Sequence, residues 1–280
     1  MRLLWMTALA LLLALQVSPT LVRAADDAAP DDDAPERPAE PKDALSAAIA
    51  EVNRQDNGVT IHREGHYVDV EAKVCLRVGE FLEMFACTKD TREHESILVI
   101  DAQPSTMHLG LLLLGLEPGK PLSYDMNVDP PKLVPASGPK VKVYVVQTID
   151  GEEKQTPANE WVKDNKTGKK MKGHTWLFAG SVQTSYEGKP LYLADVNGSV
   201  VSLVNFGDDL LTLDNTMTQD NSSHDKVWAP NTDAIPKVGT KVTLRLRPEK
   251  PKPAEDAAEP AEDKPAESSV PATGPPPHDR

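Results

Sequence analysis

Cysteine is scarce in this chain: Cys75 and Cys87 are the only two among 280 residues. They form no CxxC pair, so the close ligand spacing of a zinc knuckle is missing. After the first two dozen residues no apolar run reaches the roughly 20 residues that a membrane span needs. Met107–Leu116 is too short and is interrupted by His108 and Gly110. Cations are outnumbered, 30 Lys and Arg against 43 Asp and Glu for a net charge of −13. That argues against nucleic acid as a partner, since phosphate binding needs clustered Lys and Arg. No P-loop, GxGxxG or HExxH occurs, and Gly180-Ser181 lacks the GxSxG frame of a nucleophile elbow. Asp208, Asp209, Asp214 and Asp220 do not fit an EF-hand loop. No repeat with a period of 20–50 residues is visible.

What is present begins with a leader. Residues 1–24 carry Arg2, an apolar run from Leu3 to Val17 and the small-residue pattern Val22-Arg23-Ala24. This is the signature of a secretory signal peptide, with cleavage expected after Ala24. The run is short for an uncleaved anchor, and no cysteine follows the cleavage point to take a lipid. The expected destination is therefore the periplasm, the extracellular space or the cell envelope, with no transmembrane span in the mature chain. Residues 25–43 and 249–280 are rich in Pro, Ala and acids and have almost no large apolar side chains. Such segments bury too little surface to offset ordering entropy, so both are expected to be disordered linkers. They carry −6 and −4, and with +2 on the leader this leaves −5 for residues 44–248. The acidity belongs mainly to the ends. Residues 44–248 have the size of a single globular domain.

Within that domain Ala44–Asn53 has Leu45, Ala48, Ile49 and Val52 on one helical face, with Asp43 placed to cap it. Asp56-Asn57-Gly58 reads as a turn into a strand over Val59–Arg63. Val68–Val78 alternates, with the valines, Ala72 and Leu76 on one face. Glu80–Cys87 continues the alternation, and a three-residue loop at Val78-Gly79-Glu80 pairs Leu76 with Leu82, Val74 with Met84 and Ala72 with Ala86. Glu93–Ile100 reads as a third strand, and residues 105–115 as a helix that is apolar nearly all round and so buried. Val141–Ile149, Thr175–Ser181 and Thr240–Arg247 are further strands. Leu191–Val196 and Ser199–Phe206 flank Asn197-Gly198, a strong hairpin signal. The expected class is α+β: a mainly antiparallel sheet with one buried helix and a short N-terminal helix.

Three constellations could carry chemistry. Export favours a disulfide between Cys75 and Cys87. The hairpin register instead sets them four residues apart along one face, about 13 Å at 3.3 Å per residue, whereas a disulfide needs Cα atoms within about 7 Å. The pairing stays open. His94, between Glu93 and Glu95, titrates near neutrality and is the best general acid/base candidate. With Cys87 as nucleophile it would make a thiol enzyme. Cys75, Cys87, His94 and His108 also form a soft-ligand set that could hold zinc or copper. Trp161, Trp176 and Trp228 read as core or rim packing rather than a sugar platform.

The succession CLRVGEFLEMFAC, REHES, MHLGLLLLGLEPG, LFAGS, VVSLVNF and IPKVGTKVTLRL resembles the YdjY-domain proteins of bacteria over roughly residues 57–248. Its most specific pieces are His94-Glu95-Ser96 and the leucine-rich segment His108–Leu114. The resemblance implies an exported, envelope-associated domain and supplies no catalytic residue. Some members carry ferredoxin-type cysteine clusters, which this chain, with two cysteines, cannot build. The leading expectation is a non-enzymatic binding or structural module with an envelope partner or ligand. The alternative is a metal- or thiol-dependent redox or hydrolytic protein using Cys75, Cys87, His94 and His108.

Overall fold

The structure is a computed structural model and describes residues 41–220 and 226–249. The expected leader 1–24, the acidic segment 25–40 and the tail 250–280 lie outside the described residues. Helix α1 (Pro41–Arg54) leads into β1 (Val59–His62) and β2 (Tyr67–Val74). Next come β3 (Met84–Thr88), β4 (Ser96–Ile100) and helix α2 (Pro104–Leu113). β5 (Ser123–Asp125) and β6 (Lys132–Val134) form a small ribbon, and β7 (Lys140–Ile149) turns into β8 (Glu152–Pro157). β9 (Val162–Asp164) precedes β10 (Trp176–Phe178), the ribbon β11 (Gln183–Tyr186) with β12 (Lys189–Tyr192), and the short helix α3 (Leu193–Asn197). β13 (Ser199–Ser202), β14 (Leu211–Leu213), β15 (Trp228–Pro230) and β16 (Lys241–Pro248) complete the order.

Alternation governs β2. Val68, Val70, Ala72 and Val74 are buried, while Glu71 and Lys73 face out. The same parity runs from strand to strand. Leu244 of β16 lies opposite Val70, and Val145 of β7 opposite Leu244. Trp176 of β10 lies between Val141 and Leu213. Leu211 of β14 faces Phe178 and Val201, Val201 of β13 faces Ala86, Ala86 of β3 faces Leu98, and Leu98 of β4 faces Val74. That pairing returns to β2, so eight strands close into a barrel whose interior is filled by these side chains. Each fully buried Val, Leu or Phe contributes about 1.5–3 kcal/mol. Closure also removes the unpaired strand edges that an open sheet would expose.

This corrects the expected class. Strand accounts for 40% and helix for 17%, and the closed barrel makes the fold mostly β rather than α+β around a buried helix. Helix α2 is ten residues long and lies against β1 and β2. Met107, His108, Gly110 and Leu111 are buried, but Leu109, Leu112 and Leu113 are half-buried. Gly110 permits the approach, because a Cβ there would stand 3.2 Å from Val68. Helix α1 adds Ile49 and Val52 to the core, with Leu45 packed against it.

Three local expectations also fail for physical reasons. The hairpin of β2 with β3 is absent: β3 pairs with β4 in parallel and with β13. Met84, Phe85, Ala86 and Cys87 are all buried, so the alternation over Glu80–Cys87 does not mark a solvent face. Glu93–Glu95 is a 3-10 turn, and the strand begins only at Ser96. Asn197-Gly198 ends helix α3 instead of turning a hairpin, with Gly198 left-handed at φ 76°. A side chain there would also collide with Thr88 and Thr91.

Candidate functional site

The residues singled out by chemistry do not converge. Cys75 and Cys87 are both free thiols. Cys87 lies in β3 and Cys75 just past the end of β2, on either side of β4, and both approach Ser96. The Cys75 thiol donates to the Ser96 carbonyl at 3.0 Å, and the Ser96 hydroxyl, which donates to the Leu98 carbonyl, stands near Cys87. Burial pushes the Cys75 thiol up to about 12, reinforced by Cys87 and Glu93. Burial also raises Cys87, against the pull of the nearby Ser96 and Thr91 hydroxyls and the Arg92 backbone. Neither thiol is a thiolate near neutral pH, so neither has the depressed pKa of a nucleophilic cysteine. At pH 8 the native protein should react negligibly with a thiol-specific chromogen, while denaturant alone should release two thiols. Rapid native reaction, or fewer than two thiols on unfolding, would contradict this state of the pair.

His94 has 78% of its side chain exposed and sits 3.8 Å from Glu95, on the turn that the sequence reads as strand. Its flanking Glu95 is buried and paired with Arg92 at 3.2 Å. His94 thus faces solvent, whereas Cys87 is buried. Among the described residues no three His, Cys, Asp or Glu side chains group as a metal site. Of the set Cys75, Cys87, His94 and His108 proposed for zinc or copper, the two cysteines lie near each other, while His108 is bonded to Tyr192.

His108 belongs to a different constellation, one that gathers the most distinctive sequence pieces. Its Nδ1 lies 2.8 Å from the Tyr192 hydroxyl, which donates to the Gly180 carbonyl at 3.1 Å. The imidazole stands edge-on to Phe178 at 4.9 Å, and burial pushes it down to about 4. Asp195 of α3 accepts the Ser105 amide at 2.7 Å, satisfying a free N–H in the first turn of α2. Ser181 donates to the Asp208 carbonyl at 2.6 Å and accepts the Ala194 amide at 3.1 Å. Asp209, fully buried, accepts the Phe206 and Gly207 amides at 3.0 and 3.2 Å. This polar seam fastens α2, the Gly180-Ser181 turn and α3 to the barrel. His108 and Tyr192 are both buried and neutral, which suits a latch more than a proton shuttle. Sequence reasoning missed Tyr192, Asp195 and the role of Asp208 and Asp209. Testing the acids only against a calcium loop hid them.

A further surface feature lies elsewhere. A groove of about 460 Å³ is lined by Asp164, Thr167, Lys169–Lys172, His174 and Trp228. It forms where β9 pairs with β15 and residues 165–174 fold back over them. Met171 and Trp228 are buried and give an apolar floor, while Lys169, Lys170 and Lys172 are exposed at the rim. Lys166 belongs to the same excursion and Lys163 to β9, and neither lines the groove. Lys170 pairs with Glu160 at 2.7 Å, and His174 with Asp214 at 3.0 Å.

Fold and site together define a closed, side-chain-filled β-barrel whose accessible chemistry sits on its surface. The chain belongs to the YdjY domain family, whose model matches residues 59–247. No curated protein and no solved structure matches it.

Proposed function

We propose that this YdjY domain is an exported binding module of the bacterial envelope that engages its ligand through the groove over Trp228. The observation that carries the reading is the groove itself, an apolar floor with a cationic rim of about 460 Å³. The barrel interior is occupied by Trp176, Phe178, Val143 and Leu246, so a ligand is better accommodated outside it. Export is supported by the leader pattern of residues 1–24. Among the described residues no helix is long and apolar enough to cross a membrane. The test is co-sedimentation of the purified protein with washed envelope fractions, together with the N-terminus of the protein recovered from cells. A mature chain beginning at Ala25 that sediments with the envelope, and a Lys169→Glu/Lys172→Glu variant that stays in the supernatant, are the expected results. A retained leader in a cytosolic fraction, or sedimentation indifferent to the two substitutions, would overturn the proposal.

A further inference from the structure

Helix α2 has no charged outer face. Over Pro104–Leu113 it carries no acid, no Lys and no Arg, although a helix at a protein surface ordinarily turns a polar stripe to solvent. Leu109, Leu112 and Leu113 are only half-buried, so apolar side chains stand where that stripe would be. Leu112, Leu113 and Leu114, with Gly115 and Leu45 of α1, line a groove of about 370 Å³. It shares no lining residue with the groove over Trp228.

The other two lining residues are Arg63 and His66. Both belong to the tight turn between β1 and β2, closed by the His66 amide donating to the Arg63 carbonyl at 3.2 Å. Arg63 is exposed, and its Nη1 donates to Ser46 Oγ, which holds the guanidinium against the helix that supplies Leu45. A guanidinium carries five N–H donors, so others are left for an acceptor. Neither Arg63 nor His66 has a carboxylate partner among the described residues. Glu64, the acid of the same turn, does not line the groove. An uncompensated cation beside leucines, in a chain of net charge −13, suits an anionic head joined to an apolar tail.

Volume selects among such occupants. At about 30 Å³ for a water-sized group, 370 Å³ takes roughly a dozen methylenes. A two-turn helix, about 11 Å long and 10 Å across, displaces roughly 850 Å³ and fits less well. A second copy of the chain, docked groove to groove, would bring two uncompensated Arg63–His66 pairs together. We infer that this groove binds a saturated fatty acid of about twelve carbons. The chain lies along Leu45, Leu112 and Leu113, and the carboxylate meets Arg63 and His66. This inference stands apart from the groove over Trp228 and does not rest on it.

Calorimetric titration of the purified protein with laurate, below its micelle concentration, should show one saturable site. Each buried methylene is worth about a fourfold gain in affinity, so octanoate should bind roughly tenfold more weakly or worse. Dodecyl maltoside, with the same chain and a neutral head, should also bind roughly tenfold more weakly or worse. Arg63→Glu should weaken laurate by a similar factor at an unchanged melting temperature. Should that variant melt lower, Leu112→Gln decides in its place: weakened laurate binding supports the inference and wild-type affinity sinks it. Lys169→Glu/Lys172→Glu should bind laurate as the wild type does. No saturable laurate binding, wild-type affinity in a stable Arg63→Glu protein, or equal affinity for dodecyl maltoside overturns the inference. Loss of laurate binding in the lysine variant would place the ligand in the other groove and overturn it as well.

Discussion

Replacing Arg245 with methionine should lower the unfolding free energy by about 3 kcal/mol, read as a shift of the urea midpoint at constant slope. Arg245 is 7% exposed on the outer face of β16, at the centre of the sheet formed with β2, β7 and β8. Its Nε and Nη2 grip Asp69 at 2.7 and 2.9 Å, and its Nη1 reaches Glu153 at 2.8 Å and Gln155 at 3.2 Å. The guanidinium lies 4.1 Å over the ring of Tyr67. Glu153 is more than half exposed, so that arm is screened and adds little. The Asp69 arm is different. The carboxylate is 15% exposed, and without Arg245 it keeps, among the described residues, only His62 at 3.3 Å. Most of the loss is the cost of leaving that charge half-desolvated. The control follows from the same physics: adding Asp69→Leu to Arg245→Met should recover much of the loss, since both charges are then gone. A single variant within about 0.5 kcal/mol of wild type would show that the pair does not hold the strands together.

That interaction joins residues 176 positions apart, and this separation explains what could be read from the chain. Strands with one wet face declared themselves. β2 alternates because Glu71 and Lys73 meet solvent, and β7 and β16 were legible for the same reason. β3 is buried on both faces, so its period-two pattern carried no information and invited a false hairpin with β2. Barrel closure depends on pairings such as Val74 with Leu98 and Val201 with Leu211, one antiparallel and one parallel, which no local signal announces. Asn197-Gly198 correctly signalled a left-handed residue, but helix α3 and a tight hairpin make the same demand on that glycine. The candidate site divides in the same way. His108 was noticed as a possible ligand, whereas its partner Tyr192 is 84 residues distant and chemically unremarkable in sequence. The lysines of residues 163–172 were diluted in a net charge dominated by the acidic ends.

Replacing Asp209 with asparagine should change how stability depends on pH, and the sign differs from the usual carboxylate. Burial pushes the Asp209 carboxyl up from 3.8 to about 7, with the Asp208 charge adding to it and the nearby Ser202 hydroxyl and the Phe206 and Gly207 amides opposing. Between about pH 4 and 7 the folded protein therefore holds a proton that the unfolded chain has released, and stability falls as pH rises through that window. A shift of this size corresponds to about 4 kcal/mol, fully lost above pH 7. His108 works in the opposite direction. Burial pushes it from 6.5 down to about 4, so between those values the unfolded chain holds the extra proton and stability rises with pH. In the wild type the two slopes oppose each other over pH 4–6.5. Asparagine has no proton to lose, and its carbonyl can still accept the Phe206 and Gly207 amides. Asp209→Asn should therefore match the wild type near pH 4 and exceed it by about 4 kcal/mol at pH 8. It should also expose the rise owed to His108, while the raised Asp195 cancels because both proteins retain it. Urea midpoints measured at half-unit pH steps decide the matter. Parallel curves for the two proteins would mean that Asp209 ionises normally inside the fold.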